Sequence, residues 1–173
     1  MNLKDYVTTI PDFPKKGIMF RDVTPIIENG ESLKYAIDQF ADYAKKLGVT
    51  KIAGPEARGF VLGAAIAYKL GLGFVLIRKP GKLPRKTISE DYALEYGTNT
   101  LCVHEDSFNP GDKVFIVDDL LATGGTALAS ARLVERSGAT VAGMGFLIDL
   151  VDLKGKEVLK DYNILALMEY EGE

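Results

Sequence analysis

The sequence predicts an α/β fold, a central, mainly parallel sheet flanked by helices. Strand-like and helix-like patterns alternate from residue 33 to residue 148, the signature of that architecture. Val114–Val117 is an unbroken apolar run, as expected of a strand covered on both faces. Gly48, Gly71 and Gly138 each follow a helix-like run, where a chain leaving a helix calls for a left-handed residue.

Residues 1–31 are rich in proline and charge and read as irregular. Leu33, Ala36, Ile37, Phe40, Ala44 and Leu47 then recur at helical spacing, with Ser32 as the expected N-cap. Lys51–Gly54 is a short strand, Arg58–Leu70 an apolar helix and Gly73–Ile77 a buried strand. Residues 78–97 are polar and hold Pro80, Gly81 and Pro84, which predicts a long loop or a flexible hairpin. Thr98–Val103 is strand-like and Asn109–Asp112 a turn. Gly124–Ser137 is a helix, and Thr140–Ile148 and Asn163–Met168 are strands.

The chain has 173 residues, the size of one domain. With 47% hydrophobic and 26% charged residues it has a globular rather than a disordered composition. A net charge of -3 argues against a general nucleic-acid partner but leaves a small anionic ligand open. The lone Cys102 allows no intramolecular disulfide, and with a single His104 no familiar zinc site can form. MNLKDYV is not a secretory signal, and Lys69 and Arg78 interrupt the most apolar region. The expectation is a cytoplasmic protein with no membrane partner.

The chemistry concentrates in VFIVDDLLATGGT, Val114–Thr126. Small residues and two glycines between a strand and a helix let backbone N–H groups approach an anion, and the helix N-terminus favours negative charge. Thr123 and Thr126 add hydroxyl donors. Asp118 and Asp119 would repel a phosphate unless they serve another group. A ribose diol resolves the conflict, because ionised carboxylates accept hydroxyl protons well; a metal ion would also resolve it. GxxxxGK[ST] and GxGxxG are both missing, which excludes a P-loop and the dinucleotide fingerprint.

This segment resembles the phosphoribosyl-pyrophosphate motif of the type I phosphoribosyltransferases. The resemblance implies that Asp118 and Asp119 hold the ribose hydroxyls, and that Ala122, Thr123, Gly124, Gly125 and Thr126 hold the 5-phosphate. IPDFPKKGIMFRDVTPII (residues 10–27), GPEARGF (54–60), LIRKPGKLP (76–84) and YALEYG (92–97) are similar to segments of the adenine phosphoribosyltransferase family, in its order. The implied fold is the type I phosphoribosyltransferase fold, with residues 1–31 as a small base-binding hood and residues 78–97 as a flexible lid. The implied reaction joins adenine to the ribose of phosphoribosyl pyrophosphate and releases AMP and pyrophosphate, in purine salvage.

Each segment also has a physical reading. Phe20 can stack on a flat base, while the resemblance gives reading of the adenine edge to the backbone of Met19 and Arg21. Taken alone, Met19 and Phe20 would pass for core plugs. Arg58 can grip pyrophosphate, or form a surface pair with Glu56. The family places this loop on pyrophosphate, often with a cis peptide, here Glu56–Ala57. Arg78, Lys79, Lys82, Arg85 and Lys86 fall in one stretch with no acid among them, which suits an anionic leaving group. By resemblance Glu95 is the general base near N7 of adenine, and Tyr96 supports the pyrophosphate or the lid. Mg2+ is implied as an ion carried by the donor, and a homodimer as the assembly. Two alternatives stay open at this stage. One is a transferase acting on xanthine, guanine or orotate. The other is a non-catalytic regulator that binds phosphoribosyl pyrophosphate.

Overall fold

A computed structural model describes residues 1–94 and 96–172. After a 3-10 turn at Leu3–Tyr6, β1 (Thr8–Pro11) and β2 (Met19–Asp22) form an antiparallel hairpin, followed by the short helix α1 (Thr24–Glu28). The stretch expected to be irregular therefore holds ordered structure. The strands are four residues each and never fully buried, so they leave little apolar periodicity to read.

α2 (Gly30–Lys46) starts two residues before the expected cap. Asn29 is the N-cap and accepts from the Ser32 N–H at 3.0 Å. The buried Ser32 hydroxyl instead donates to the Ile26 carbonyl at 2.8 Å and ties α2 to α1. β3 (Lys51–Pro55), α3 (Arg58–Leu70) and β4 (Gly73–Ile77) follow. β4 is an edge strand rather than a buried one, with Gly73 and Leu76 exposed. Residues 78–86 form a loop, and β5 (Thr87–Ala93) pairs with β6 (Thr98–His104) as a separate antiparallel hairpin. β7 (Lys113–Leu121), α4 (Gly125–Arg136), β8 (Thr140–Leu150), α5 (Gly155–Val158) and β9 (Ile164–Tyr170) complete the chain.

The main sheet has the order β4-β3-β7-β8-β9, and every pair in it is parallel. Alternation along its central strands divides the core. Ile52, Phe115 and Val117 face α2 and α3, against Phe40, Leu62 and Ile66. Ala53, Val114 and Ile116 face α4 and the β5–β6 hairpin, against Leu133, Val134, Leu101 and Val103. The order reverses between β3 and β7, so the crevice beyond their carboxyl ends is where such a sheet takes its ligand. Among the described residues no helix is long and apolar enough to cross a membrane.

Candidate active site

β7 does not stop at Val117. It runs through Leu121, so both acids sit on a strand that β3 pairs as far as Ile116 and β8 follows to Leu121. The Asp119 N–H donates to Asp118 Oδ1 at 2.8 Å. Burial pushes the Asp118 carboxyl well above the usual aspartate value, and the neighbouring Asp119 pushes it the same way. Close packing brings the β3–α3 turn against this strand: a Cβ on Gly54 would lie 2.8 Å from the Val117 carbonyl oxygen.

After β7 the chain turns through Ala122–Gly124 into α4. Gly124 is the N-cap, with φ 93°, and no side chain caps the helix. The first-turn N–H groups thus stay available to an anion. Ala122, Thr123, Gly124, Gly125 and Thr126 line one cavity of about 80 Å³ together with Asp118, Leu120 and Phe146.

A second cavity of about 110 Å³ lies under the β1–β2 hairpin. Met19, Phe20 and Arg21 line it with Ile18, Val23, Leu150, Arg58, Asp119 and Leu120. Phe13 packs edge-on against Phe20, with ring centroids 5.1 Å apart, and holds that ring in place. The Arg21 guanidinium turns to other work: it donates to Thr9 Oγ1 at 2.8 Å and stacks 4.4 Å from the Tyr170 ring centre. The Arg21 guanidinium is therefore committed to β1 and β9.

The third cavity, about 270 Å³, is edged by Pro55, Glu56, Ala57, Arg58, Lys79, Tyr92, Leu101 and Thr126, and again by Asp118, Asp119 and Leu120. The Glu56–Ala57 peptide is cis. Arg58 pairs with Asp119, not with Glu56. Glu56 instead gathers the neighbouring loop: it accepts from Arg78 Nε at 3.1 Å and from the Lys79 N–H at 2.9 Å, with Lys82 Nζ at 3.5 Å. Burial raises the Glu56 carboxyl, but the Lys79 N–H, Arg78 and Lys82 together hold it below its ordinary value. Arg85 pairs with Asp106 at 3.1 Å and Lys86 with Glu105 at 3.6 Å. The cation cluster read from the sequence is thus largely matched by acids remote in the chain. Of Arg78, Lys79 and Lys82, only Lys79 lines the cavity.

The hood and phosphate-loop residues named from the sequence, with Arg58, Lys79, Asp118 and Asp119, converge on one crevice. Tyr96 does not join them: it stands 87% exposed and lines none of the three cavities. Glu95 lies outside the described residues. Sequence reading gave no role to Tyr92, Leu120, Phe146 or Leu150. Tyr92 had a signal, since Ile88, Glu90 and Tyr92 share the inward face of β5 at a two-residue period. The Tyr92 ring also abuts the phosphate loop, 3.1 Å from where a Cβ on Gly125 would stand.

Comparison with known proteins agrees with this geometry. Residues 26–168 match the family model described as phosphoribosyl transferase domain. The chain is 54% identical over 171 residues to an adenine phosphoribosyltransferase of Alkaliphilus oremlandii, covering 99% of each chain. It superposes on the crystal structure of the adenine phosphoribosyltransferase of Thermoanaerobacter pseudethanolicus with a TM-score of 0.93 and 49% identity, covering 97% of this chain and 98% of that one. The Saccharomyces cerevisiae adenine phosphoribosyltransferase, crystallised with adenine and an imino-altritol bisphosphate, gives a TM-score of 0.91 at 36% identity, covering 95% and 96%. On its motifs, its fold and these matches, the chain belongs to the adenine phosphoribosyltransferase family, with the type I phosphoribosyltransferase fold.

Proposed function

We propose that this chain transfers the 5-phosphoribosyl group from phosphoribosyl pyrophosphate to adenine, giving AMP and pyrophosphate in purine salvage. One observation carries the reading: Leu120 lines all three cavities, so an anion loop, an apolar slot with an aromatic face and a pyrophosphate-sized crevice share one corner. A ribose at that corner would place its 5-phosphate on Ala122–Thr126, its diol on Asp118 and Asp119, its C1 toward the base slot and its leaving group toward Arg58 and Lys79.

The residues then have definite tasks. Phe20 presents a ring face to adenine, and the backbone of Met19 and Arg21 reads its edge. Asp118 and Asp119 orient the diol and stabilise positive charge developing on the ribose. Donor binding must part Arg58 from Asp119, which frees the guanidinium for pyrophosphate as the carboxylate turns to the diol. By family resemblance, Glu95 takes the proton at N7 as N9 bonds to C1.

Mg2+ fits this site as an ion carried by the donor. Such an ion would be held chiefly by the donor's own phosphate oxygens and water, with Asp118 and Asp119, which hold the diol, as the carboxylates nearest to it. When bound it would neutralise charge on the leaving pyrophosphate. A homodimer is supported by exposed apolar side chains, Val61, Ala64 and Tyr68 on α3 and Leu76 on the edge strand. The lone buried Cys102 is in keeping with a cytoplasmic location.

The decisive test mixes the purified protein with Mg2+, phosphoribosyl pyrophosphate and adenine, with hypoxanthine and guanine in parallel. AMP should form and the other two bases should react poorly. Folded protein that makes no AMP refutes the proposal. In Glu95→Gln, turnover should fall by about 100-fold or more, the usual size of a general-base contribution, with little change in donor binding. Turnover like that of the wild type removes Glu95 from the mechanism.

A further inference from the structure

Behind the phosphate loop runs a segment to which the reading above gives no role. β8 ends at Leu150, a 3-10 turn spans Val151–Leu153, and α5 follows at Gly155–Val158 before the chain enters β9. Gly155 lies directly against the loop. A Cβ there would sit 2.6 Å from the Ala122 carbonyl oxygen and 2.7 Å from Leu121 Cδ1. The contact is mutual, since a Cβ on Gly124 would stand 3.2 Å from the Gly155 carbonyl oxygen and 3.2 Å from Val158 Cβ. Backbone meets backbone here, with the Leu121 and Val158 side chains packed against the same contact. In close-packed protein, a shift of one is felt by the other.

The residue after Gly155 fixes where this segment sits. Lys156 Nζ lies 3.5 Å from Asp149 Oδ2 on β8 and 3.4 Å from Glu169 Oε1 on β9. Asp149 and Glu169 are register partners on adjacent parallel strands, so one ammonium bridges both. Asp149 is only 2% exposed, and among the described residues its Oδ1 has no hydrogen-bond partner. A buried carboxylate so poorly satisfied depends on its cation. Lys156 therefore pins α5 to the sheet, and Gly155 passes that constraint to Ala122.

We infer that Asp149, Lys156 and Glu169, acting through Gly155, are positioning residues for the 5-phosphate loop. They set the spacing of the Ala122–Thr126 amides and hence the affinity for a phosphorylated ribose. This inference rests on the phosphoribose reading of that loop. Among the described residues the clamp's ion pairs run only between Asp149, Lys156 and Glu169, and its closest backbone contact is with Ala122, so its loss should weaken the phosphate end first. A general loosening of the fold would weaken both substrates together.

The experiment compares wild type, Lys156→Met, Lys156→Arg and Gly155→Ala. Ribose 5-phosphate binding is measured by calorimetry, and KM is measured separately for donor and adenine. Lys156→Met and Gly155→Ala should each weaken ribose 5-phosphate binding and raise the donor KM about tenfold, equivalent to about 1.4 kcal/mol. The adenine KM should stay within about twofold, the scatter expected between unconnected sites. Lys156→Arg should recover most of the loss, because a guanidinium can bridge the same two carboxylates. Gly155→Ala keeps all three charged side chains, so it carries the comparison should Lys156→Met fail to fold. The inference is overturned by a folded variant that binds ribose 5-phosphate like wild type, by adenine KM rising in step with donor KM, or by no recovery in Lys156→Arg. Wild type that binds no ribose 5-phosphate refutes the phosphoribose reading itself. An active wild type with indifferent variants refutes only the clamp.

Discussion

Single residues in this crevice are placed at some cost to the fold. Asp118 is the clearest case, a carboxyl whose ionised form is disfavoured by burial and by Asp119 beside it. Its native pKa is raised above the unfolded value. The native state therefore holds its proton to higher pH, and ionisation destabilises the fold as pH rises between the two values. Asp118→Asn should raise the melting temperature near neutral pH, and that gain should vanish in acid, below the ordinary aspartate range. For a chain of this length each kcal/mol is worth roughly 2–4 °C. Thermal melts of both proteins across pH would show it; an equal gain at every pH would mean that charge is not the cause. Donor binding should follow the opposite trend and strengthen with pH, because the ionised acid accepts from the diol hydroxyls more strongly than the protonated acid, which keeps only part of that capacity. Phe20 makes a simpler case. Stacking of a base on an aromatic ring is worth about 1–3 kcal/mol. Phe20→Ala should thus raise the adenine KM by about 5- to 150-fold and leave the donor KM nearly unchanged. Parallel loss on both substrates would remove Phe20 from the base slot.

At the scale of elements, each side of the crevice is fastened by contacts distant in sequence. The β5–β6 hairpin is held to α4 by Glu90, which pairs with Arg136 at 2.9 Å and Arg132 at 3.9 Å. The hood is fastened to the far end of the chain. Tyr170 on β9 takes Arg21 on its ring at 4.4 Å and Lys4 at 4.5 Å. Cation–π contacts of this kind contribute about 0.5–2 kcal/mol each. Tyr170→Leu should therefore loosen the hairpin that carries Met19–Arg21 and raise the adenine KM several-fold, while the donor KM holds. Kinetics with each substrate varied in turn would check this, and an unchanged adenine KM would show that the hood keeps its position without Tyr170. Strong periodicity made α3 and β4 legible to the residue, since an apolar helix closed by Gly71 and a five-residue apolar run leave little room for another reading. The hairpin strands were harder to read: β1 and β2 are four residues each and never fully buried, and the two-residue period of β5 is only half-buried.

Across the whole molecule, the sheet order decides where chemistry can occur. Its reversal between β3 and β7 opens the crevice, and close approach at Gly54 lets the two loops share it. The same order leaves β4 at an edge with Leu76 exposed, and on α3 Tyr68 is 90% exposed. Side chains of that kind are costly to leave in water. Sedimentation of the wild type should give a dimer, and Tyr68→Glu should shift it toward monomer. A wild type that sediments as a monomer at micromolar concentration would count against the homodimer.

The sequence by itself determined the alternation of strands and helices, the anion loop after β7 and the acid pair that a phosphate alone would not tolerate. These are local facts, written in periodicity, glycine placement and residue type. Only the tertiary structure decided which charges meet. Arg58 reaches Asp119 and Glu56 collects Arg78 and Lys82, so a run that looked purely cationic is largely neutralised by acids elsewhere in the chain. Tertiary packing likewise placed Tyr92 and Leu120 in the crevice, and Gly155 behind the loop. The physical reason is common to all of these. Coulombic pairing and close packing depend on distance in space, and separation along the chain does not record it.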